Sequence, residues 1–247
     1  MKRRLLIMFL LGCLLPFAVQ AQHGTFRFAQ ITDIHFSPNN PNPTEDLLRS
    51  VAQINAIDSI DFVLVTGDIT EEGDRTTMLK VKETLDLLKA KYYVILGNHE
   101  TKWSDSGCTA FGEIFGGERF EFEHKGILFL GFNSGPLMRM AYGHVVPQDI
   151  RWMTEEMDKF GKDKPVILVT HYPLLDGDVD NWYEVTDAVR PYNIRLFIGG
   201  HYHRNRDLRY DGIPGILMRS NLRDKDGKPG YGIYLSLIHI SEPTRRT

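Results

Sequence analysis

Short apolar runs alternate with amphipathic stretches along most of this chain. Residues 25–31 are β-prone, leading through Phe26, Phe28 and Ala29 into Ile31. Residues 62–65 and 92–96 are unbroken runs of the length and composition of buried strands, the first ending at Thr66-Gly67-Asp68 and the second at Gly97-Asn98-His99-Glu100. Between these runs, Leu47, Leu48, Val51 and Ile54, and then Met78, Val81, Leu85 and Leu88, keep helical spacing. Thr44 is the expected cap of the first helix, with Glu45 and Asp46 in its first turn. Strand, helix, strand, helix, strand at this spacing predicts a parallel α/β sheet.

The middle of the chain differs in texture. Residues 120–123 and 127–132 predict a hairpin across His124-Lys125-Gly126, after a short helix over 108–115. A helix over 148–160 turns Ile150, Met153 and Met157 inward. Strands over 166–169 and 194–198 end at Thr170-His171 and at Gly199-Gly200-His201-Tyr202-His203, with a short helix over 183–189 between them. A second hairpin, 207–210 with 213–218, closes around Asp211-Gly212.

The two ends read differently. Residues 1–21 have the form of an export signal: Lys2, Arg3 and Arg4, an apolar run over 5–18, and Val19-Gln20-Ala21 as a cleavage site. This places the mature protein in the periplasm or outside the cell. Leu10-Leu11-Gly12-Cys13 also resembles a lipoprotein box, so a membrane partner enters only if Cys13 carries lipid. At the other end, residues 235–245, LSLIHISEPTR, resemble the translation of a sequencing-library adaptor. The native domain is therefore expected over 22–234, with its last strand or strands cut short and an open sheet edge. Residues 235–247, including His239, are expected to be non-native.

Composition narrows the chemistry. Residues 22–234 carry 24 basic against 31 acidic residues, net −7, which gives no basic footprint for nucleic acid. With Cys13 in the leader, Cys108 has no disulfide partner, and a thiolate metal cluster is excluded. Any metal must sit on nitrogen and oxygen.

Such ligands are present at every predicted parallel strand end: Asp33 and His35, Asp68, Asn98, His171, and His201 with His203. Each alone has an ordinary explanation: Asp33 as a turn residue, Asp68 as a helix cap, His171 as a buried histidine. Five strand ends carrying ligand types together do not. In order, Asp-x-His, Gly-Asp, Gly-Asn-His-Glu, a lone His and Gly-His-x-His resemble the signature of the calcineurin-like metallophosphoesterases.

The resemblance implies an α/β fold, a four-layer αββα sandwich of two mixed β-sheets, with a two-metal site at one edge. It implies that Asp33, His35, Asp68 and His203 hold one ion, and Asp68, Asn98, His171 and His201 the other. The mixed ligands suit divalent or trivalent Mn, Fe or Zn. The implied reaction is hydrolysis of a phosphate mono- or diester, a small-molecule substrate, by a hydroxide shared between the metals. His99 would protonate the leaving oxygen and Glu100 would orient His99. The alternative is a catalytically silent, metal-stabilised binding module of the cell envelope. Two departures matter: Ile69-Thr70 follows Gly-Asp where purple acid phosphatases carry a tyrosine ligand, and Glu100 stands where well-studied phosphatases have Asp.

Weaker signals surround this set. Asp176, Asp178 and Asp180 have calcium-loop spacing, but Asn181 stands where glycine is needed, so a solvated loop is expected. Glu71-Glu72 likewise reads as a solvated turn. Trp103, Arg139, Tyr142, His144, Tyr172 and Trp182 lie in or beside loops that could border the pocket.

Overall fold

A computed structural model describes residues 25–236 apart from Arg139 and Asp224. The expected leader and residues 237–247 of the expected tail lie outside this range. The strands are β1 (Phe26–Ile31), β2 (Phe62–Thr66), β3 (Lys91–Ile95), β4 (Phe120–His124), β5 (Ile127–Gly131), β6 (Val166–Val169), β7 (Ile194–Gly199), β8 (Arg206–Tyr210), β9 (Ile213–Leu217) and β10 (Gly232–Ser236). The α-helices are α1 (Asn42–Asn55), α2 (Arg75–Leu85), α3 (Thr109–Phe115), α4 (Pro147–Phe160) and α5 (Trp182–Val189).

Two mixed sheets form, in the orders β10-β1-β2-β3 and β4-β5-β6-β7-β9-β8. Strands β1, β2 and β3 run parallel, as do β5, β6, β7 and β9. The apolar runs are continuous because both faces of these strands are covered. Phe26, Phe28, Phe62 and Leu64 meet Ile127, Phe129, Ile167 and Val169 between the sheets. Alternate residues point outward. Ala29, Ile31, Val63 and Val65 pack against Leu47, Val51, Met78 and Val81 of α1 and α2. Val166 and Leu168 pack against Met153, Met157 and Val185 of α4 and α5. The result is the αββα order of layers.

Gln30 ties the two sheets together. It is fully buried, and its Nε2 donates to Thr66 Oγ1 at 2.8 Å and to the Gly199 carbonyl at 2.9 Å. Its Oε1 accepts from the Tyr234 hydroxyl at 2.6 Å.

Two expectations change. Helix α1 begins at Asn42 rather than after Thr44, because Pro43 in the first turn has its φ already set for a helix start. Helix α2 ends at Leu85, although Leu88 remains in the core beyond it. Strand β10 pairs with β1, Arg27 facing Leu235 and Phe26 facing Ser236, so Leu235 and Ser236 of the expected tail continue this strand past Tyr234.

Candidate metal centre

The carboxyl ends of β1, β2, β3, β6 and β7 reach the same edge of the sandwich, and the predicted ligands meet there. The backbone is bent to deliver them: Asp33, His35, Asp68, His201 and His203 have φ of 52, 50, 48, 71 and 54°. These are half of the ten left-handed non-glycine residues among the described residues. Each costs about 1–2 kcal/mol relative to right-handed backbone, and such strain collects where side-chain placement matters. Gly97 permits a close approach of β2 and β3 loop backbone, since a Cβ there would lie 2.4 Å from Asp68 N.

Two groups form. Asp33, His35 and His203 place ligand atoms within 4.8 Å of one another, and so do Asp68, His171 and His201. In the first, His203 Nε2 lies 3.2 Å from Asp33 Oδ1 and 3.0 Å from His35 Nε2. Asp68, a member of the second group, also reaches toward the first: its Oδ2 lies 3.2 Å from His171 Nε2 and 3.8 Å from His35 Nε2. The Asp68 Oδ1 atom accepts from the His99 backbone N–H at 2.9 Å. Asn98 Oδ1 lies 3.1 Å from His171 Nε2. Asp33 is held by the His201 N–H at 3.1 Å and the Thr32 hydroxyl at 2.8 Å.

The donor set fits cations. His171 Nδ1 donates to the Thr66 carbonyl at 2.7 Å, so in the neutral ring the Nε2 lone pair faces oxygens of Asp68 and Asn98. A nitrogen lone pair and two oxygen acceptors at this range are reconciled by a proton or a metal ion. Burial opposes a proton, but Asp68 outweighs burial and holds the His171 pKa up at about 10. Burial also works against ionised Asp68, yet His171 keeps that carboxyl well below the usual range. Burial, helped by His171, pulls His201 down to about 4, leaving it a neutral ligand.

His99 and Glu100 occupy a π-helical turn, His99–Trp103. His99 points Nε2 toward the centre, 3.9 Å from Asp68 Oδ2, and its Nδ1 donates to the Glu71 carbonyl at 2.6 Å. The expected orienting role of Glu100 is not what the geometry shows. Its fully buried carboxylate accepts from Thr70 N and Thr70 Oγ1, both at 3.0 Å, and from Gly97 N at 2.8 Å. Those three donors hold it against the β2 and β3 loops, away from the imidazole. Burial, reinforced by Asp68, pushes the Glu100 pKa up.

Glu71, read from sequence as a solvated turn, is a residue the motifs missed. Its Oε2 accepts from His35 Nδ1 at 2.9 Å, while its carbonyl holds His99. Its position three residues past Asp68 was the available signal.

Of the loop residues, Tyr172 packs its ring 4.0 Å from that of His201. His144 is spent on Asp180 at 2.8 Å, and Asp178 accepts from the Tyr202 hydroxyl at 2.5 Å. Trp182 packs on the α4–α5 core, Trp103 and Tyr142 are exposed, and Arg139 lies outside the described residues.

The family model for calcineurin-like phosphoesterases matches residues 26–205, which span every one of these ligands. The chain belongs to the calcineurin-like phosphoesterase family. A Bacillus subtilis (strain 168) protein is 28% identical over 227 residues, covering 81% of this chain but 17% of its own length. This chain thus spans about a sixth of that relative. A probable glycerophosphodiester phosphodiesterase of Arcobacter nitrofigilis is 27% identical over 199 residues, 71% of each protein. Among solved structures, GAP50, the anchor in the inner membrane complex of Plasmodium, superposes with a TM-score of 0.56 at 10% identity, covering 85% of this chain and 81% of its own. That likeness concerns the fold alone.

Proposed function

We propose that this protein is an exported, two-metal phosphoesterase hydrolysing a small phosphate mono- or diester. The observation that carries the reading is that Asp68, within the group Asp68-His171-His201, also reaches His35 of the group Asp33-His35-His203. Asp33, His35, Asp68 and His203 would hold one ion, and Asp68, Asn98, His171 and His201 the other. When bound, such ions supply Lewis acidity toward phosphoryl oxygens and a water-derived nucleophile.

The chain's own groups do the rest. Neutral imidazoles ligate without adding negative charge that would repel a phosphate. The Glu71 carbonyl holds the His99 Nδ1 proton, which aims Nε2 at the centre. From there a protonated His99 delivers its Nε2 proton to the departing alkoxide. The basic start, apolar run and Val19-Gln20-Ala21 of the first 21 residues support export to the periplasm or medium.

The test compares an aryl phosphomonoester with a bis-aryl phosphodiester, using the Mn-loaded full chain, Asp68→Asn and His99→Ala. Turnover abolished by Asp68→Asn is expected. His99→Ala should slow esters with poor leaving groups more than nitrophenyl esters, by about 10²–10⁴-fold. No turnover of either ester by a folded, metal-loaded chain would overturn the reading.

A further inference from the structure

At the same sheet edge, beside the metal centre, lies a cavity of about 640 Å³. One wall is Thr101, whose N–H donates to the Gly97 carbonyl at 3.2 Å and whose hydroxyl donates to the Asn98 carbonyl at 3.3 Å. The cavity therefore backs onto the turn that presents Asn98 and His99. A second wall is the loop over 133–146, whose Gly135 packs against Thr101. It is tethered to the centre where the Tyr172 N–H, one residue past His171, donates to Ser134 Oγ at 3.0 Å.

Among the described residues, the polar side chains of the lining each have a partner. Arg119 pairs with Asp149 at 3.0 Å, Asn133 donates to Glu118 at 3.1 Å, and His144 pairs with Asp180 at 2.8 Å. What remains for an occupant is apolar: Cys108, Pro136, Leu137, Met138 and Val146. An alkyl or aryl group would fill the space beside these pairs without disturbing any of them.

The loop tip continues this apolar surface. Leu137, Met138, Met140 and Tyr142 are 40, 84, 50 and 53% exposed, four large hydrophobes within six positions. The loop base is pinned by the Pro136–Gly143 bridge and by the Gly143 N–H, which donates to the Asp178 carbonyl at 2.7 Å. Scattered exposed hydrophobes need no explanation, but a cluster beside a cavity marks a binding surface.

We propose that this cavity and loop tip bind the apolar alcohol portion of an amphiphilic phosphoester whose phosphate lies at the metal centre. The inference rests on the phosphoesterase reading and adds the substrate class. The occupant is a neutral alkyl or aryl group, matched to a lining whose charges are already paired.

The test is a series of p-nitrophenyl alkyl phosphodiesters, methyl to hexyl, with the Mn-loaded full chain, alongside calorimetric binding of the corresponding alkyl phosphonates. We expect kcat/KM to rise by up to about fourfold per methylene through KM, until the cavity fills. The double variant Leu137→Ser with Met138→Ser flattens the hexyl-to-methyl ratio. Val146→Phe, which fills the cavity, ends the rise at shorter chains, with thermal unfolding as the control for folding. Equal kcat/KM for methyl and hexyl esters, or a rise that survives the double variant, overturns the inference while leaving the phosphoesterase reading intact. A rise seen only with esters embedded in phosphatidylcholine vesicles also overturns it, and assigns the loop to a lipid surface. If no ester turns over, the phosphoesterase reading fails, and phosphonate affinity that ignores chain length then overturns the inference separately.

Discussion

Replacing Glu100 separates a bracing role from an orienting one. Its carboxylate is fully buried and satisfies Thr70 N, Thr70 Oγ1 and Gly97 N at 2.8–3.0 Å. In Glu100→Ala the two backbone donors lose their acceptors, at about 1–3 kcal/mol each. Removing a carboxylate whose pKa burial has pushed up returns part of that loss. The net destabilisation should be about 2–4 kcal/mol, which lowers Tm by roughly 5–15 °C in a domain of this size. Glu100→Gln keeps an oxygen for Thr70 but turns an amide N–H toward the Gly97 N–H, so its loss should be smaller, about 1–3 kcal/mol. Thermal and urea unfolding measure the stability, and a pH–rate profile measures the proton donor. Because Glu100 does not touch the His99 ring, the Gln variant should leave the acid-donor limb of that profile in place. A Gln variant of unchanged stability whose donor limb shifts by a pH unit would refute this reasoning and restore the orienting role.

Metal affinity should depend on pH, because a metal must displace the proton that Asp68 holds on His171 with a pKa near 10. Apparent Mn affinity, measured calorimetrically, should rise about tenfold per pH unit from pH 7 to 9, and a flat profile would contradict it. In the metal-free chain the raised His171 pKa gives stability that is complete below about 6.5 and lost as pH rises through about 10; urea midpoints at pH 6 and 9 should differ in that direction. Gly97→Ala puts a Cβ 2.2 Å from Asp68 Oδ1 and should cost about 1–3 kcal/mol together with metal binding. Asp46 is buried and its Oδ2 accepts from Arg223 N at 2.7 Å, with the Arg223 guanidinium 2.9 Å from Oδ1. Asp46→Ala should cost about 2–4 kcal/mol, less than a fully buried pair because Arg223 stays partly exposed, and a loss under about 1 kcal/mol in urea unfolding would refute the pairing.

The layers and the ligand cluster were legible because both rest on local patterns. Runs such as Phe62–Thr66 are apolar throughout since both faces are covered, and their ends carry the ligand types. The details that escaped depend on contacts distant in sequence. Asp46 looked like a first-turn acid, but its partner Arg223 lies 177 residues away. Glu71 looked solvated because nothing local shows His35 folding back 36 residues to meet it. Glu100 sits beside His99 in sequence, yet the π-helical turn sends the two side chains in different directions, one to Thr70 and one to Asp68. The cavity beside the centre is assembled from Thr101, the segments flanking α3, the 133–146 loop and Asp149 of α4, with no motif of its own.

The most direct test of the central claim is a Mn titration of the metal-free full chain, with bound metal and diester turnover read in the same samples. Two sites per chain are expected, with turnover appearing as the second fills, and with Asp68→Asn losing both turnover and the second site. Full turnover at one equivalent, or turnover untouched by Asp68→Asn, would contradict a centre bridged by Asp68.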